Sequence, residues 1–145
     1  MTTKLTLTKA QEIIAAALAG VRSMPPRPIA VAVCDNGGHL LAIAREQDAP
    51  PLLAQIAQAK AFTCVAYGKP TTELASIAES YPNWFNGISR VAQESMGQPL
   101  IASKGGMLCR DHDGTLLGAV GVAGETGDID DELAKTGIAI AGFLF

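Results

Sequence analysis

Two histidines are the side chains of this sequence best suited to hold a metal ion. His39 follows a turn sequence at residues 35–38 (Asp-Asn-Gly-Gly), and His112 lies between Asp111 and Asp113 in a second turn. Because imidazole is a favourable ligand for iron, His39 is the candidate ligand for a haem iron. The alternative is an ordinary histidine at the start of a strand. His112, between two carboxylates, is expected to be solvated.

Charged side chains are the candidates for acid–base chemistry on a small organic acid. Arg45, Lys60 or Arg110 is expected to hold a substrate carboxylate, and an acidic side chain to move a proton. The acidic candidates are Asp35, Asp131 and Glu132. Two alternatives stay open. The acidic cluster at 128–132 caps a helix N-terminus, where the helix dipole favours negative charge, and Lys60 is a surface lysine.

Glycines mark positions where a ligand or a second backbone segment approaches closely. Gly118, Gly121 and Gly124 recur at every third position across a run of strand-forming residues. Since glycine weakens a strand, this spacing indicates a bend or a close backbone approach. Either a helix packs closely on the strand, or N–H groups at its end meet a ligand. We expect the pocket near the 37–38 turn, Lys60 and the exit of this strand.

Hydrophobic periodicity predicts the elements that position the first of these residues. A helix is predicted over 7–24, with a Thr8–Gln11 capping box at its start and prolines at its end. Strands over 29–34 and 39–45 are predicted to form a β-hairpin around the turn at 35–38.

The middle of the chain is predicted to be mainly helical. One helix covers 50–67 and another covers 72–80, followed by a loop or broken helix at 81–87 and one or two helical turns over 88–96.

The last third of the chain returns to strands. Strands over 107–110 and 115–123 flank a turn at 111–114, and a helix runs from about residue 128 towards Phe145. The order is helix, two strands, helices, two or three strands and helix. It predicts an antiparallel sheet with helices packed on it, in a single domain over residues 1–145.

Composition fits one small globular domain with an aliphatic core. The 145 residues are 48% hydrophobic, 17% charged and only 5% aromatic. The mean hydropathy is +0.24, so apolar surface is expected to remain after one copy folds. A homo-oligomer is the predicted way to cover that surface.

Charge and cysteine usage exclude several classes of protein. The net charge is −3 and the pI is about 5.3, without a run of Lys or Arg, so nucleic-acid binding is not expected. The apolar runs are shorter than the roughly 18 residues of a membrane span, and no secretory signal is expected at the start. Cys34, Cys64 and Cys109 are scattered and odd in number. They predict free thiols and a cytoplasmic location.

Four segments and the acidic residues at 130–132 form a set with a defined order and spacing. The segments are Val33–Ala42 (VCDNGGHLLA), Ile56–Ala61 (IAQAKA), Lys104–Leu108 (KGGML) and Leu117–Gly124 (LGAVGVAG). The set resembles the GlcG/HbpS-like family, which includes the C-terminal domain of PduO-type proteins. The likeness covers nearly the whole chain. The chain departs from the family pattern at 45–49, where relatives often carry Arg-Met-Asp-Gly-Ala and this sequence reads Arg-Glu-Gln-Asp-Ala.

The resemblance implies a profilin-like α/β fold of the α+β kind, with a central antiparallel sheet flanked by helices, and assembly into dimers or larger oligomers. It also implies a small-ligand-binding protein, with haem or another tetrapyrrole as the ligand. Relatives encoded in catabolic operons keep a second interpretation open, an isomerase, tautomerase or hydratase of an organic acid. An accessory oligomer without chemistry is a third.

The resemblance also implies which residues form the site. The positions that match the family pattern are Asp35, Gly37, Gly38, Lys60, Gly105, Gly106, Gly118, Gly121, Gly124 and Asp131. The predicted ligand-binding residues are Gly37, Gly38, His39, Lys60, Gly105, Gly106, Gly121 and Gly124. The catalytic candidates are Asp35, Arg45, Lys60, Asp131 and Glu132.

Overall fold

A computed structural model describes residues 3–145 of the chain. The helices are α1 (Leu7–Leu18), α2 (Leu52–Tyr67), α3 (Thr71–Ser80), α4 (Pro82–Met96) and α5 (Gly127–Ile140). The strands are β1 (Ala30–Asp35), β2 (Leu40–Arg45), β3 (Gly106–Arg110) and β4 (Leu116–Ala123). This arrangement confirms the predicted α+β fold. Within the described residues, no helix is long and apolar enough to cross a membrane.

The sheet has the strand order β2-β1-β4-β3, and every neighbouring pair is antiparallel. Both predicted hairpins are confirmed, β1 with β2 and β3 with β4. In the central pair, Ala30 lies opposite Ala123 and Asp35 lies opposite Gly118. Both hairpin turns therefore project from one end of the sheet, and the exit of β4 lies at the other end.

The two faces of the sheet carry side chains of different size, because successive residues of a strand point to opposite sides. Valines of β1 and β4 pack against α1 and α5 on one face; they are Val31, Val33, Val120 and Val122. The other face carries mostly alanine and glycine, and α2 lies directly on it. Small side chains on this face allow the backbones of α2 and the sheet to approach closely.

Helix α1 begins at Leu7 as predicted, but it has a different N-cap and is shorter than predicted. Its N-cap is Thr6, whose hydroxyl accepts a hydrogen bond from the N–H of Lys9, so the predicted Thr8 capping box is wrong. The helix ends at Leu18 rather than at the prolines. Its last carbonyl accepts a hydrogen bond of 2.9 Å from the Arg22 guanidinium, and Gly20 lies against Leu133 of α5, where a Cβ would have no room.

Two further predictions are corrected after α2. The segment at 81–87, predicted as a loop or broken helix, belongs to α4 from Pro82 onward, because a proline at the helix start has no N–H that needs a partner. Tyr81 is the single residue that separates α3 from α4. At the other end, α5 stops at Ile140, and Leu144 forms an antiparallel bridge with Arg110 at the outer edge of β3.

Candidate functional site

The first candidate site lies at the end of the sheet from which both hairpins project. Asp35 organises the β1–β2 turn, because its Oδ1 accepts hydrogen bonds from the N–H groups of Gly37 at 2.9 Å and His39 at 3.0 Å. The same oxygen lies 3.4 Å from Nδ1 of His39. The carboxylate thus faces the Nδ1 side of the ring and leaves the Nε2 side open.

The imidazole of His39 is open to an incoming ligand. Its side chain is 83% exposed, and Nε2 has no hydrogen-bond partner among residues 3–145. Gly38 has a φ of +81° and packs on the ring of Phe62, which leaves no room for a Cβ. The backbone of the turn, and with it His39, is therefore fixed relative to α2 and the sheet.

A cleft of about 350 Å³ opens beside Asp35, between the two hairpins and the segment before α1. Its lining residues are Thr3, Lys4, Leu5, Asp35, Asn36, Leu41, Thr115 and Leu117. The three leucines form an apolar wall of the cleft, and Lys4 adds an exposed cation. The volume is at the lower end of the roughly 300–1,000 Å³ of small-molecule sites. Asp35 thus joins the cleft to His39.

The second candidate site is a buried ion pair on the α2 side of the sheet. Lys60 is buried, so the surface-lysine alternative is wrong. Its Nζ donates a hydrogen bond of 2.7 Å to the carbonyl of Val122 and lies 3.4 Å from Oδ2 of Asp130. The other carboxylate oxygen of Asp130 accepts a hydrogen bond of 3.0 Å from the N–H of Glu125.

Burial opposes the charge on both members of this pair. Desolvation lowers the pKa of Lys60, although the carboxylate of Asp130 counteracts it. Desolvation also raises the pKa of Asp130 to about 6, against the favourable effect of the Lys60 ammonium. The hydrogen bonds of both side chains are directed to groups of the protein itself.

The glycines near this pair serve close packing. A Cβ on Gly121 would overlap the carbonyl of Ala57 in α2, and one on Gly106 would lie 2.6 Å from Thr71 Cγ2. Gly105 has a φ of +119° and leaves space for Lys60 Nζ. Gly124 has a φ of +129° and lies against Pro28. Of the three spaced glycines, only Gly121 therefore supports the helix-packing interpretation, since Gly124 lies against Pro28 and Gly118 against the carbonyl of Cys34 in β1.

The other charged candidates each have partners in the protein. Arg45 donates hydrogen bonds to backbone carbonyls of residues 46, 47 and 49 and so holds the loop after β2. Asp131 accepts a hydrogen bond of 3.3 Å from the hydroxyl of Thr72. Glu132 is exposed on α5, 3.6 Å from Lys135. Arg110 donates to the carbonyl of Gly114.

The sheet separates the residues predicted to share one pocket. The turn at 37–38 and His39 lie at the hairpin end, together with the cleft. Lys60 and Gly124 lie towards the opposite end, because β1 and β4 are antiparallel with Ala30 beside Ala123. Gly38 packs on Phe62, two residues after Lys60 in α2, but Nζ of Lys60 is directed to Val122 and Asp130 and not to the turn.

Sequence reasoning did not single out Asp130 or Lys4. The acidic cluster is at a helix start, but the N-cap is Thr126, whose hydroxyl accepts a bond from Ile129 N–H. Asp130 is the cluster's one buried member, and it is in helical phase with the buried Leu133 and Ala134. That periodicity is the signal that points to it. The residues described contain no group of three His, Cys, Asp or Glu that could hold a metal ion.

Comparisons with known proteins agree on one family. The family model described as "Haem degrading protein HbpS-like" matches residues 5–139. Protein GlcG of Escherichia coli K12 is 38% identical over 95 residues, which are 66% of this chain and 63% of GlcG. The alignment thus spans less than two thirds of that relative.

Solved structures show the same fold over almost the whole chain. A double mutant of HbpS from Streptomyces reticuli is 31% identical, with a TM-score of 0.78 over 98% of this chain and 90% of its own. The crystal structure of a PduOC:heme complex has a TM-score of 0.81 at 23% identity, covering 97% of each chain. At that identity the likeness concerns the fold.

Proposed function

We propose that this chain, which belongs to the HbpS-like family, is a haem-binding protein with His39 as the iron ligand. The observation that carries the proposal is the exposed imidazole with its Nδ1 turned to Asp35 and its Nε2 free. The family description names haem, and a protein of this fold has been crystallised with haem.

The residues at the hairpin end fit the chemistry of haem. Metal-binding histidines usually direct the other ring nitrogen to a carboxylate or carbonyl, which orients the ring, and Oδ1 of Asp35 lies 3.4 Å from Nδ1 of His39. Leucines of the neighbouring cleft offer apolar contacts, and Lys4 would pair with a propionate. Haem held here would supply the redox and ligand-binding chemistry of its iron.

Titration of the apo-protein with haemin tests this proposal. We expect saturable binding with a Soret shift that His39→Ala removes or moves, because the iron loses its imidazole ligand. His112→Ala is the matched control. His112 is also an exposed turn histidine at the same end of the sheet, but its Nε2 lies 2.9 Å from the carbonyl of Gly142.

Three results would count against the proposal: the absence of a shift, a shift that does not saturate, or identical spectra for both variants. Identical spectra would mean adsorption or a different iron ligand.

Acid–base chemistry on an organic acid receives less support. The cations expected to hold a carboxylate were Arg45, Lys60 and Arg110, and each donates to carbonyls or a carboxylate of the protein. We therefore place haem binding ahead of this alternative. We also propose a cytoplasmic location, because Cys34, Cys64 and Cys109 are all buried free thiols.

A further inference from the structure

The chain contains two Asn-Gly pairs, and both lie on the surface. One is Asn36–Gly37 in the β1–β2 turn, and the other is Asn86–Gly87 in α4. All four residues are exposed. Asparagine before glycine is prone to spontaneous deamidation, because glycine has no side chain that keeps its backbone nitrogen away from the preceding carboxamide. The backbone around each pair therefore decides where this reaction takes place.

Deamidation begins with ring closure between the two residues of the pair. The backbone nitrogen of the glycine attacks Cγ of the asparagine side chain and gives its proton to a base of the solvent. The carboxamide nitrogen takes up a proton and leaves as ammonia, and a cyclic imide remains. Water then opens the imide at either of its two carbonyls, which gives aspartate or isoaspartate. The only co-reactant is water.

Helical geometry protects the pair in α4. Gly87 lies well inside this helix, which begins at Pro82 and ends at Met96. The N–H of Gly87 is therefore directed to the carbonyl four residues earlier in the helix. Ring closure requires the peptide between Asn86 and Gly87 to rotate out of the helical conformation, so the reaction at Asn86 depends on local unfolding of α4.

The pair in the β1–β2 turn is restrained by fewer contacts. The carboxamide of Asn36 has no hydrogen-bond partner among residues 3–145, and the N–H of Gly37 donates a single bond, of 2.9 Å, to Oδ1 of Asp35. Rotation of the Asn36–Gly37 peptide towards Cγ breaks that bond. The bond of 3.0 Å from Gly38 N–H to the carbonyl of Asp35 and the ladder between β1 and β2 do not involve this peptide.

We propose that Asn36 is a self-modification site, which converts to aspartate and isoaspartate in the folded protein while α4 protects Asn86. Asn36 lines the cleft beside Asp35. Each modified molecule therefore carries an additional negative charge on the wall of the cleft, which disfavours anionic ligands there. The isoaspartate product also lengthens the backbone between Asp35 and Gly37 by a methylene group, which alters the turn before His39.

Incubation of the full chain at pH 8, followed by peptide mass spectrometry, tests this site. We expect the Asn36 peptide to gain the mass difference between a carboxylate and a carboxamide at least about tenfold faster than the Asn86 peptide, because the reaction at Asn86 waits for α4 to open. In concentrated urea the two rates should become similar, since the helix is lost. The two pairs are matched controls within one molecule, because both are exposed.

Isoelectric focusing gives a second readout on the same samples. The unaltered protein should develop a more acidic band that migrates with Asn36→Asp. Asn36→Gln should not develop this band, because its longer side chain closes a ring much more slowly. Circular dichroism of both variants should match that of the unaltered protein, since position 36 is exposed.

Three results would overturn the proposal. They are an unmodified Asn36 in the folded protein, equal rates at Asn36 and Asn86 in the folded protein, and an acidic band that forms equally in Asn36→Gln. Isomerisation of Asp113 before Gly114 in the other hairpin turn changes neither mass nor charge, so it does not contribute to either readout.

Discussion

The most constrained side chains of the chain are Lys60 and Asp130. Each carries an ionisable group in the interior, and each depends on the other for compensation of its charge. Removing one member of such a pair leaves a buried charge without a partner, which is more costly than losing both. The pair also links α2 to the start of α5 and, through Val122, to β4.

Lys60→Met is expected to destabilise the fold by about 3–5 kcal/mol at pH 8, because the carboxylate of Asp130 stays buried without its cation. The loss should be smaller at pH 5. The folded-state pKa of Asp130 is raised to about 6, above its unfolded value of about 3.9. The folded protein therefore binds the additional proton, and stability decreases as pH rises from about 4 through 6. Without Lys60 this window moves to higher pH.

Urea unfolding of the unaltered protein and of Lys60→Met at pH 5 and pH 8 measures how the destabilisation depends on pH. Lys104→Met serves as the control, because Lys104 pairs with Asp128 on the surface; its unfolding midpoint should not change measurably. If Lys60→Met were equally destabilised at both pH values, protonation of Asp130 would not compensate for the loss of Lys60, and this prediction would be wrong.

At the scale of elements, the contact of α2 with β4 depends on backbone proximity rather than on side-chain interlocking. Gly121 lies directly under the carbonyl of Ala57 and near the N–H of Ala61. Alanines of α2 and the sheet fill the remaining space. Because the contact joins two backbones, an added methyl group cannot be accommodated by a change of rotamer.

Gly121→Ala is expected to destabilise the protein by about 1–3 kcal/mol or more, because α2 must move away from the sheet. Gly87→Ala is the opposite case. Gly87 lies within α4 with no atom near its missing Cβ, so alanine should stabilise the helix by roughly 0.5–1 kcal/mol. Thermal unfolding of the two variants should therefore shift in opposite directions. A stabilised Gly121→Ala would contradict the close approach.

The prediction of elements from sequence succeeded where local signals were complete. The alternation of residue types along the strands and the turn Asp-Asn-Gly-Gly specify the first hairpin. The turn Asp111–Gly114 specifies the second. At 81–87, predicted as a loop or broken helix, the break is limited to Tyr81, and Pro82 starts α4. The prediction failed after Leu18, where packing of Gly20 on α5 ends the helix. That contact involves residues more than one hundred positions apart.

For the molecule as a whole, burial of the sheet under helices on both faces controls the reactivity of the thiols. Cys34 and Cys109 lie in β1 and β3, and Cys64 lies in α2 against the sheet. Burial raises the pKa of Cys34 and of Cys109 to about 12, and it raises the pKa of Cys64 as well. The cysteines are free, as predicted, and these surroundings make them unreactive.

The native protein should therefore react very slowly with a thiol reagent such as dithionitrobenzoate at pH 8. In denaturant, all three thiols should react rapidly. The rate in water should follow the fraction of unfolded molecules and increase in Gly121→Ala, which loosens the packing around the same sheet. Immediate reaction of one thiol with the native protein would show that its surroundings open locally.

The sequence by itself determined the family, the α+β class and most strands and helices, because these follow from periodicity, turn residues and motifs within short segments. It also named Lys60, His39 and the glycines as candidate site residues. Only the tertiary structure decided which groups surround each of them. The antiparallel register of β1 and β4 separates His39 from Lys60, and the position of α5 makes Asp130 the partner of Lys60. Which buried groups meet depends on the packing of distant elements, and the local sequence pattern does not contain that information.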